Sequence, residues 1–216
     1  MTTRLLLFDL DGTLVDSLDD LTSAVNHVRG SFSLPCLTAP AVRKMVGKGA
    51  RNLISQALPD APDTDLTQGL ELFLEFNRIH IADQSRLYPG ISHLLEKLSS
   101  QGAHMAVISN KNESLSRLIL DSLASGQHFQ QVCGGDTFPE MKPSPLPLQR
   151  LMEQFGTTAD TTVMVGDSIN DIQAGITAGV TTIGCGWGYG SEAELQLADY
   201  RVNSPAELGD IIERLS

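Results

Sequence analysis

Two carboxylates one residue apart, Asp9 and Asp11, follow the apolar run of residues 5–7 and precede Gly12. A continuous apolar run is typical of a buried parallel strand, and residues i and i+2 of a strand point to the same side. In open α/β sheets, ligands bind beyond the carboxyl ends of the strands. Two acids at that place form a site suited to Mg²⁺ and a potential pair of nucleophile and general acid. The alternative is an ordinary Asp-Gly turn after a strand, with no chemistry.

Two later apolar runs also end in polar side chains, the first in Ser109 and Asn110 and the second in Asp167. Lys142 lies between these runs, in a Met-Lys-Pro-Ser-Pro segment just ahead of a predicted helix. Phosphoryl transfer needs a metal held by oxygen atoms and donors for three equatorial phosphate oxygens. The residue types at these strand and loop ends therefore indicate phosphoryl-transfer chemistry.

Taken in order, these motifs resemble those of the haloacid dehalogenase superfamily of phosphohydrolases. The residues that carry the resemblance are Asp9-Leu10-Asp11-Gly12-Thr13, Ser109-Asn110, Lys142, and Gly166-Asp167-Ser168 with Asp171. Each motif alone is weak, but the ordered set is highly specific and the strand–helix alternation covers nearly the whole chain. Within the superfamily, the chain looks most like the phosphoglycolate phosphatase group at Asp16-Ser17, Tyr88-Pro89-Gly90, Lys142-Pro143 and Gly166-Asp167-Ser168.

The resemblance implies a role for each motif residue. Asp9 is the nucleophile that forms an aspartyl phosphate, and Asp11 is the general acid and base. The implied Mg²⁺ ligands are Asp9, the backbone carbonyl of Asp11, and Asp167. The residues implied in phosphate binding are Gly12, Thr13, Ser109, Asn110 and Lys142.

The role of Asp171 is open between two interpretations. This residue follows Asp167 by four positions, which places it one turn into the predicted helix on the same side. It either contributes to the metal site or only complements the helix dipole as an acid in the first turn.

Strand-like and helix-like segments alternate from residue 103 onward. Helices are predicted at residues 115–123, 145–155, 169–178 and 205–215, and short strands at residues 181–183 and 200–202. This alternation implies βαβ units and right-handed crossovers. The predicted fold is therefore α/β, a doubly wound parallel sheet that resembles the Rossmann-like core of the superfamily.

Residues 18–83 break this alternation, because they contain helical stretches and no convincing strand. The predicted helices are at residues 18–28, 41–46, 51–58 and 64–81. A helical block inserted after the first strand resembles the small helical cap of the superfamily. We predict a core formed by residues 1–15 and 86–216 and a cap formed by residues 16–85.

The predicted cap has an unusual distribution of charge. From Leu21 to Pro59 there is no Asp or Glu, although the chain holds 26 acidic residues among 216, while Arg43, Lys48 and Arg51 are present. One interpretation is a basic, solvated pair of helices. The other is a cap that presents these three cations to an anionic substrate, with Lys48 on a mobile loop.

Composition limits the function classes. The net charge of −11 argues against nucleic acid and anionic membranes as partners. Three widely spaced cysteines indicate a reduced protein without a disulfide framework or zinc site. No basic region precedes the first apolar run, and that run is far too short to span a bilayer. We expect a cytoplasmic protein whose partner is a small anionic phosphorylated metabolite.

The activity that the resemblance implies is Mg²⁺-dependent phosphomonoester hydrolysis, with 2-phosphoglycolate as the leading candidate substrate. Other small phosphates, including sugar phosphates and pyrophosphate, stay open. A sugar-phosphate mutase would carry a histidine shortly after Asp16-Ser17, where this chain has Leu21. A non-enzymatic phospho-receiver domain is disfavoured, because Lys142 precedes Asp167 and a helical block is inserted.

Two further features are interpreted as unrelated to phosphate binding. The glycine-rich stretch of residues 184–190 lacks the dinucleotide-binding spacing and is predicted to be a flexible turn after a strand. Lys111 follows the Ser109-Asn110 motif but matches no motif of its own.

Overall fold

The computed structural model describes residues 4–215, so residues 1–3 and 216 of the predicted core lie outside the described part. The strands are β1 (Leu5–Phe8), β2 (Val15–Asp16), β3 (Arg86–Leu87), β4 (His104–Ile108), β5 (Gln131–Cys133), β6 (Thr162–Gly166), β7 (Thr181–Cys185) and β8 (Tyr200–Val202). Six of them form one parallel sheet in the order β5-β4-β1-β6-β7-β8. The predicted parallel sheet is confirmed.

Helices cover both faces of this sheet. Their bounds are α1 (Leu18–Ser31), α2 (Ala39–Arg43), α3 (Gly49–Ala57), α4 (Asp63–Ile79), α5 (Ile91–Ser100), α6 (Glu113–Ser122), α7 (Leu146–Phe155), α8 (Ile169–Ala178) and α9 (Pro205–Leu215). Buried residues of α5, α6 and α9 pack on one face, and those of α7 and α8 pack on the other. This is the doubly wound arrangement that strand–helix alternation predicts.

β1 lies between β4 and β6, so that Phe8 pairs with Val107 on one side and Val165 on the other. Alternate side chains of β1 enter opposite layers of the core, with Phe8 in one layer and Leu7 in the other. Because both faces are covered, every residue of this strand is buried. The strand therefore delivers the two aspartates that follow it to the middle of the carboxyl edge of the sheet.

Helices α1 to α4 form a separate body with its own apolar cluster, which includes Leu21, Ile54 and Phe73. The chain enters this body after β2 and leaves it before β3, and these two strands pair antiparallel with Asp16 opposite Arg86. We propose that this short ribbon is the boundary between the core and the cap, where the sequence analysis divides them.

A buried carboxylate anchors the return connection. Asp20 of α1 accepts hydrogen bonds from the backbone N–H of Ser85 at 2.8 Å and from its Oγ at 2.6 Å, and from the N–H of Gln84. A buried carboxylate with several donors is fully satisfied, so the connection is held in one conformation.

The sequence prediction and the structure differ at several elements. Helix α5 and the short strands β2, β3 and β5 were not predicted. The helix predicted at residues 41–46 ends earlier, at Arg43, because the chain then turns through Gly47 and Gly49, which have φ values of +104° and +79°. Such values favour glycine and interrupt a helix. In the described part of the chain, each helix is too short or too polar to cross a bilayer.

Candidate active site

Lys142 is the centre of a buried network at the carboxyl edge of the sheet. Its Nζ donates to Asp9 Oδ1 at 2.7 Å, to Asp171 Oδ1 at 2.6 Å and to the backbone carbonyl of Ile108 at 2.6 Å. Burial alone would lower the pKa of Lys142, but the carboxylates of Asp171 and Asp9 raise it above its ordinary value. The lysine therefore stays charged, and it fixes the orientation of the Asp9 carboxylate.

Three buried carboxylates converge beside this lysine. Asp9, Asp167 and Asp171 offer oxygen atoms that lie within 4.8 Å of one another. Burial raises the pKa of Asp167 to about 7, and the neighbouring Asp171 charge adds to this rise. Burial also raises the pKa of Asp9, against the attraction of Lys142. Clustered oxygen ligands with excess negative charge fit a hard divalent cation such as Mg²⁺.

The glycine-rich stretch after β7 is part of this site. The backbone N–H groups of Tyr189 and Gly190 donate to Asp167 Oδ2 at 2.6 and 3.3 Å. A Cβ atom on Gly188 would lie 2.3 Å from Asp167 Cβ, so only glycine permits this approach. The stretch is a turn after a strand, as predicted, and it also orients Asp167, which the sequence analysis did not anticipate.

Gly12 and Thr13 contact the same carboxylate from the other side. Thr13 Oγ1 donates to Asp167 Oδ1 at 3.0 Å. Gly12 has a φ of +92°, and a Cβ there would lie 2.4 Å from Asp167 Oδ2. Both residues thus position Asp167 in the structure, and the role in phosphate binding that the resemblance implies stays a prediction.

Asp171 has both of its carboxylate oxygens engaged. Oδ1 accepts from Lys142, and Oδ2 accepts from the backbone N–H of Ser168 at 3.0 Å and its Oγ at 2.7 Å. These contacts form a capping box at the start of α8. Asp171 therefore caps the helix and holds Lys142 at once, and its role as a metal ligand stays a prediction.

Asp11 lines the cavity and lies next to the ribbon of β2 and β3. Its Oδ1 accepts from Ser17 Oγ at 2.6 Å, and its two oxygens lie 3.5 and 3.4 Å from Lys111 Nζ. Ser17 in turn donates its backbone N–H to the Tyr189 hydroxyl at 2.6 Å. The Asp11 carboxylate is thus held by Ser17 and Lys111, and its role as general acid and base stays a prediction.

Ser109 and Asn110 lie at the end of β4 and are both buried. The Asn110 side chain donates from Nδ2 to the carbonyls of Gly47 and Lys142, each at 2.8 Å. Both N–H bonds of this amide are therefore occupied, and the predicted phosphate contact would use the backbone N–H of Asn110. The side chain instead joins a cap loop to the loop that carries Lys142.

The three cap cations differ in their contacts. Arg43 donates from Nε to the Tyr189 carbonyl at 3.0 Å and from Nη2 to the Gly188 carbonyl, so its guanidinium binds the core loop. Arg43 and Lys48 both line an opening that also exposes Asp9 and Asp11, and Lys48 shares a second groove beside Pro143 with Arg51. Contact of these three cations with the substrate stays a prediction, and Arg43 is already bonded to the core loop.

Arg43→Ala should lower kcat/KM by similar factors for phosphate substrates with and without a carboxylate. The lost contacts join the cap to the core, and a loss of about 1.4 kcal/mol corresponds to about 10-fold. Steady-state kinetics with 2-phosphoglycolate and with 2-hydroxyethyl phosphate, its analogue without a carboxylate, would measure both factors. Arg51→Ala is the matched arginine control. A loss confined to the acidic substrate would instead assign Arg43 to substrate binding.

The cap closes a cavity over the two aspartates. Its floor includes Asp9, Asp11 and Lys142, and its roof includes Leu21 and Phe73 from the cap. The cavity measures about 50 Å³, where one water needs about 10–15 Å³. The enclosed space therefore suits a group of a few atoms.

The sequence matches the family described as haloacid dehalogenase-like hydrolase over residues 6–185. The chain belongs to the haloacid dehalogenase-like hydrolase family. It is similar to the phosphoglycolate phosphatase of Chromobacterium violaceum, with 38% identity over 95% of each chain. It is also similar to the phosphoglycolate phosphatase of Aquifex aeolicus, with 36% identity over 97% of each chain.

A solved structure shows the same architecture. The crystal structure of a predicted phosphoglycolate phosphatase from Haemophilus somnus 129pt matches with a TM-score of 0.93 and 31% identity, covering 98% of this chain and 99% of that chain. The core and the helical block are thus both present in a similar arrangement in that relative.

Proposed function

We propose that this protein is a Mg²⁺-dependent phosphomonoester hydrolase that acts through an aspartyl phosphate on Asp9, with 2-phosphoglycolate as its leading substrate. The observation that carries the proposal is the buried contact of Lys142 with Asp9, inside a cluster of carboxylates and beside Asp11. The names of the relatives in Chromobacterium violaceum and Aquifex aeolicus support the choice of substrate.

The proposed reaction has two displacement steps at phosphorus. In the first, an oxygen of Asp9 attacks phosphorus, the bond from phosphorus to the leaving oxygen breaks, and Asp11 donates its proton to that oxygen. In the second, Asp11 takes a proton from water while the water oxygen attacks phosphorus, and the bond from phosphorus to Asp9 breaks. The products are an alcohol and inorganic phosphate, and both aspartates return to their initial states.

The residues that would hold Mg²⁺ are Asp9, Asp167 and the backbone carbonyl of Asp11, with Asp171 contributing at least through Lys142. When bound, the ion reduces the repulsion between the anionic phosphate and the attacking carboxylate. Lys142 adds a fixed positive charge at the same place. The backbone N–H of Asn110 would donate to a phosphate oxygen, since the N–H of Ser109 donates to the Cys133 carbonyl and that of Lys111 to Ser109 Oγ.

Two further observations disfavour alternative classes of function. Leu21 lines the cavity at the position where a sugar-phosphate mutase would carry a histidine, so the group that such a transfer requires is missing there. The negative net charge is unfavourable for nucleic acid and anionic membrane surfaces. We propose that the protein acts in the cytoplasm on a small phosphorylated metabolite.

Activity on phosphorylated metabolites should require Mg²⁺, disappear in EDTA and return when Mg²⁺ or Mn²⁺ is added. Ca²⁺ should inhibit, because it prefers longer bonds and more ligands and would displace the Asp9 oxygen from its position for attack. Phosphate release from a panel of small phosphates, measured with each ion and with EDTA, checks both expectations. Full turnover in EDTA would refute the metal assignment.

Asp167→Asn provides the matched variant for the same assay. The substitution keeps the side-chain shape and an oxygen for the Tyr189 and Gly190 N–H groups but removes a charge. The Mg²⁺ concentration at half-maximal rate should rise by roughly 10- to 100-fold.

A further inference from the structure

We infer that Lys111 is the specificity-determining residue of this site and that it binds the carboxylate of the acidic substrate. The inference rests on the proposed function, since it concerns the part of the substrate that is not the phosphate. It also assigns to a buried core lysine the task that the cap cations were predicted to perform.

Lys111 has donor capacity that the protein does not use. Its side chain is 8% exposed, and within residues 4–215 its Nζ contacts the Asp11 oxygens at 3.4 and 3.5 Å. Charge-assisted N–H···O bonds are ordinarily about 2.7–2.9 Å long, so these contacts are weak. Lys142 differs, because three acceptors between 2.6 and 2.7 Å take all of its N–H bonds. Lys111 is thus the ammonium that remains available to a ligand in this cavity.

The position of Lys111 places it near the leaving alcohol of the substrate. It lines the same cavity as Asp9 and Asp11 and lies against Asp11, the proposed proton donor to the leaving oxygen. A group next to that donor is also next to the first atoms of the leaving alcohol. In a two-carbon acid phosphate, the carboxylate carbon is two bonds from the leaving oxygen, which places the carboxylate within reach of the ammonium.

The opposite wall of the cavity offers a second polar group. Asn77 of α4 is 2% exposed, lines the cavity among apolar cap residues such as Leu53 and Phe73, and has no hydrogen-bond partner at Oδ1. Buried polar groups nearly always have partners, so this amide marks where a bound polar group would lie. Rotation of the amide exchanges the places of its oxygen and its NH₂ group, so the Asn77 side chain can also donate N–H bonds to an anion.

Burial distinguishes Lys111 from the cap lysine Lys48. Lys48 is exposed at the rim, where water and salt weaken its attraction for an anion. The Lys111 side chain is only 8% exposed, and a charge-assisted contact that is shielded from water discriminates more strongly between a carboxylate and a neutral group.

The test compares 2-phosphoglycolate with 2-hydroxyethyl phosphate, which replaces the carboxylate by a hydroxymethyl group of similar size. We expect the wild-type protein to prefer the acid and Lys111→Met to reduce the ratio of the two kcat/KM values by about 10- to 150-fold. Lys111 also contacts Asp11, so both rates should fall, but a change through Asp11 alone cancels in the ratio. Lys111→Arg should recover part of the preference.

Two matched variants complete the experiment. Lys97→Met removes an exposed lysine that pairs with Glu213 far from the cavity, and it should leave the ratio unchanged. Lys48→Met should change the ratio much less than Lys111→Met. The inference is overturned if Lys111→Met keeps the preference while its thermal unfolding matches the wild type, or if Lys48→Met abolishes the preference instead.

The outcome also separates this inference from the proposed function. A wild-type protein that hydrolyses both compounds equally well with Mg²⁺ would be a phosphatase without a carboxylate subsite, which overturns the inference alone. A wild-type protein that hydrolyses neither compound, nor any other small phosphate, overturns both.

Discussion

Asp9→Asn should abolish turnover, with kcat falling by roughly 10⁴–10⁶-fold, the range for removal of a catalytic nucleophile. An amide of the same shape keeps an acceptor oxygen for Lys142 but carries no negative charge for attack on phosphorus. Because the substitution removes one of three clustered carboxylates, the fold should persist, and the thermal unfolding midpoint should not fall. Phosphate release measures turnover, and the mass of the acid-quenched protein reports whether a covalent phosphoryl group forms. Thermal unfolding measures the stability of the variant.

Asp9→Glu is the matched control, because it retains the charge and moves the carboxylate by one methylene. It should also be nearly inactive, since displacement of a reacting atom by about 1 Å costs about 10²-fold or more. Near-wild-type turnover in Asp9→Asn, or a covalent phosphoryl group on that variant, would rule out Asp9 as the nucleophile.

Most residues of this site could be predicted because they follow strands whose sequences are unambiguous. β1, β4 and β6 are continuous apolar runs, and parallel strands bring their carboxyl ends to one edge of the sheet. The convergence of Asp9, Asn110 and Asp167 is thus a consequence of local sequence and one topological rule. Lys142 could not be placed by the strand pattern, because its loop has no periodic sequence. Only the family motif indicated its role.

The contacts that could not be predicted depend on distant parts of the chain. Asp167 is oriented by the loop of Gly188 and Tyr189, about 20 residues later, and glycine spacing alone does not reveal which carboxylate the loop meets. Arg43 reaches the same loop across more than 140 residues. Lys111 follows a known motif, but its contact with Asp11 joins residues 100 positions apart in the chain.

One backbone carbonyl of the cap binds two parts of the core. The Gly47 oxygen accepts from Asn110 Nδ2 at 2.8 Å and from Asn170 Nδ2 at 3.2 Å, so a residue after β4 and a residue of α8 bind one cap turn. The left-handed conformation of Gly47 is what points this turn at the core. The elements proposed to bind phosphate and the proposed cap are therefore linked directly, and closure of the cap would complete the site.

Asp11→Asn should reduce steady-state hydrolysis of 2-phosphoglycolate by roughly 10²–10⁴-fold, since the leaving alkoxide would depart without a proton. The variant keeps an oxygen that can accept from Ser17 Oγ, so the loss would come from proton transfer and not from a displaced side chain. Steady-state phosphate release measures the reduction, and Ser17→Ala, which leaves Asp11 titratable, should lose less.

A substrate with a good leaving group separates the two functions of Asp11. An aryl phosphate releases a stable phenolate without protonation, so Asp11→Asn should still form the aspartyl phosphate on Asp9. Breakdown of that intermediate needs Asp11 as a base, so rapid-mixing traces should show a burst of phenolate equal to the enzyme concentration, followed by slow turnover. The absence of a burst with equally slow turnover would restrict Asp11 to the first step, and wild-type turnover would remove it from the mechanism.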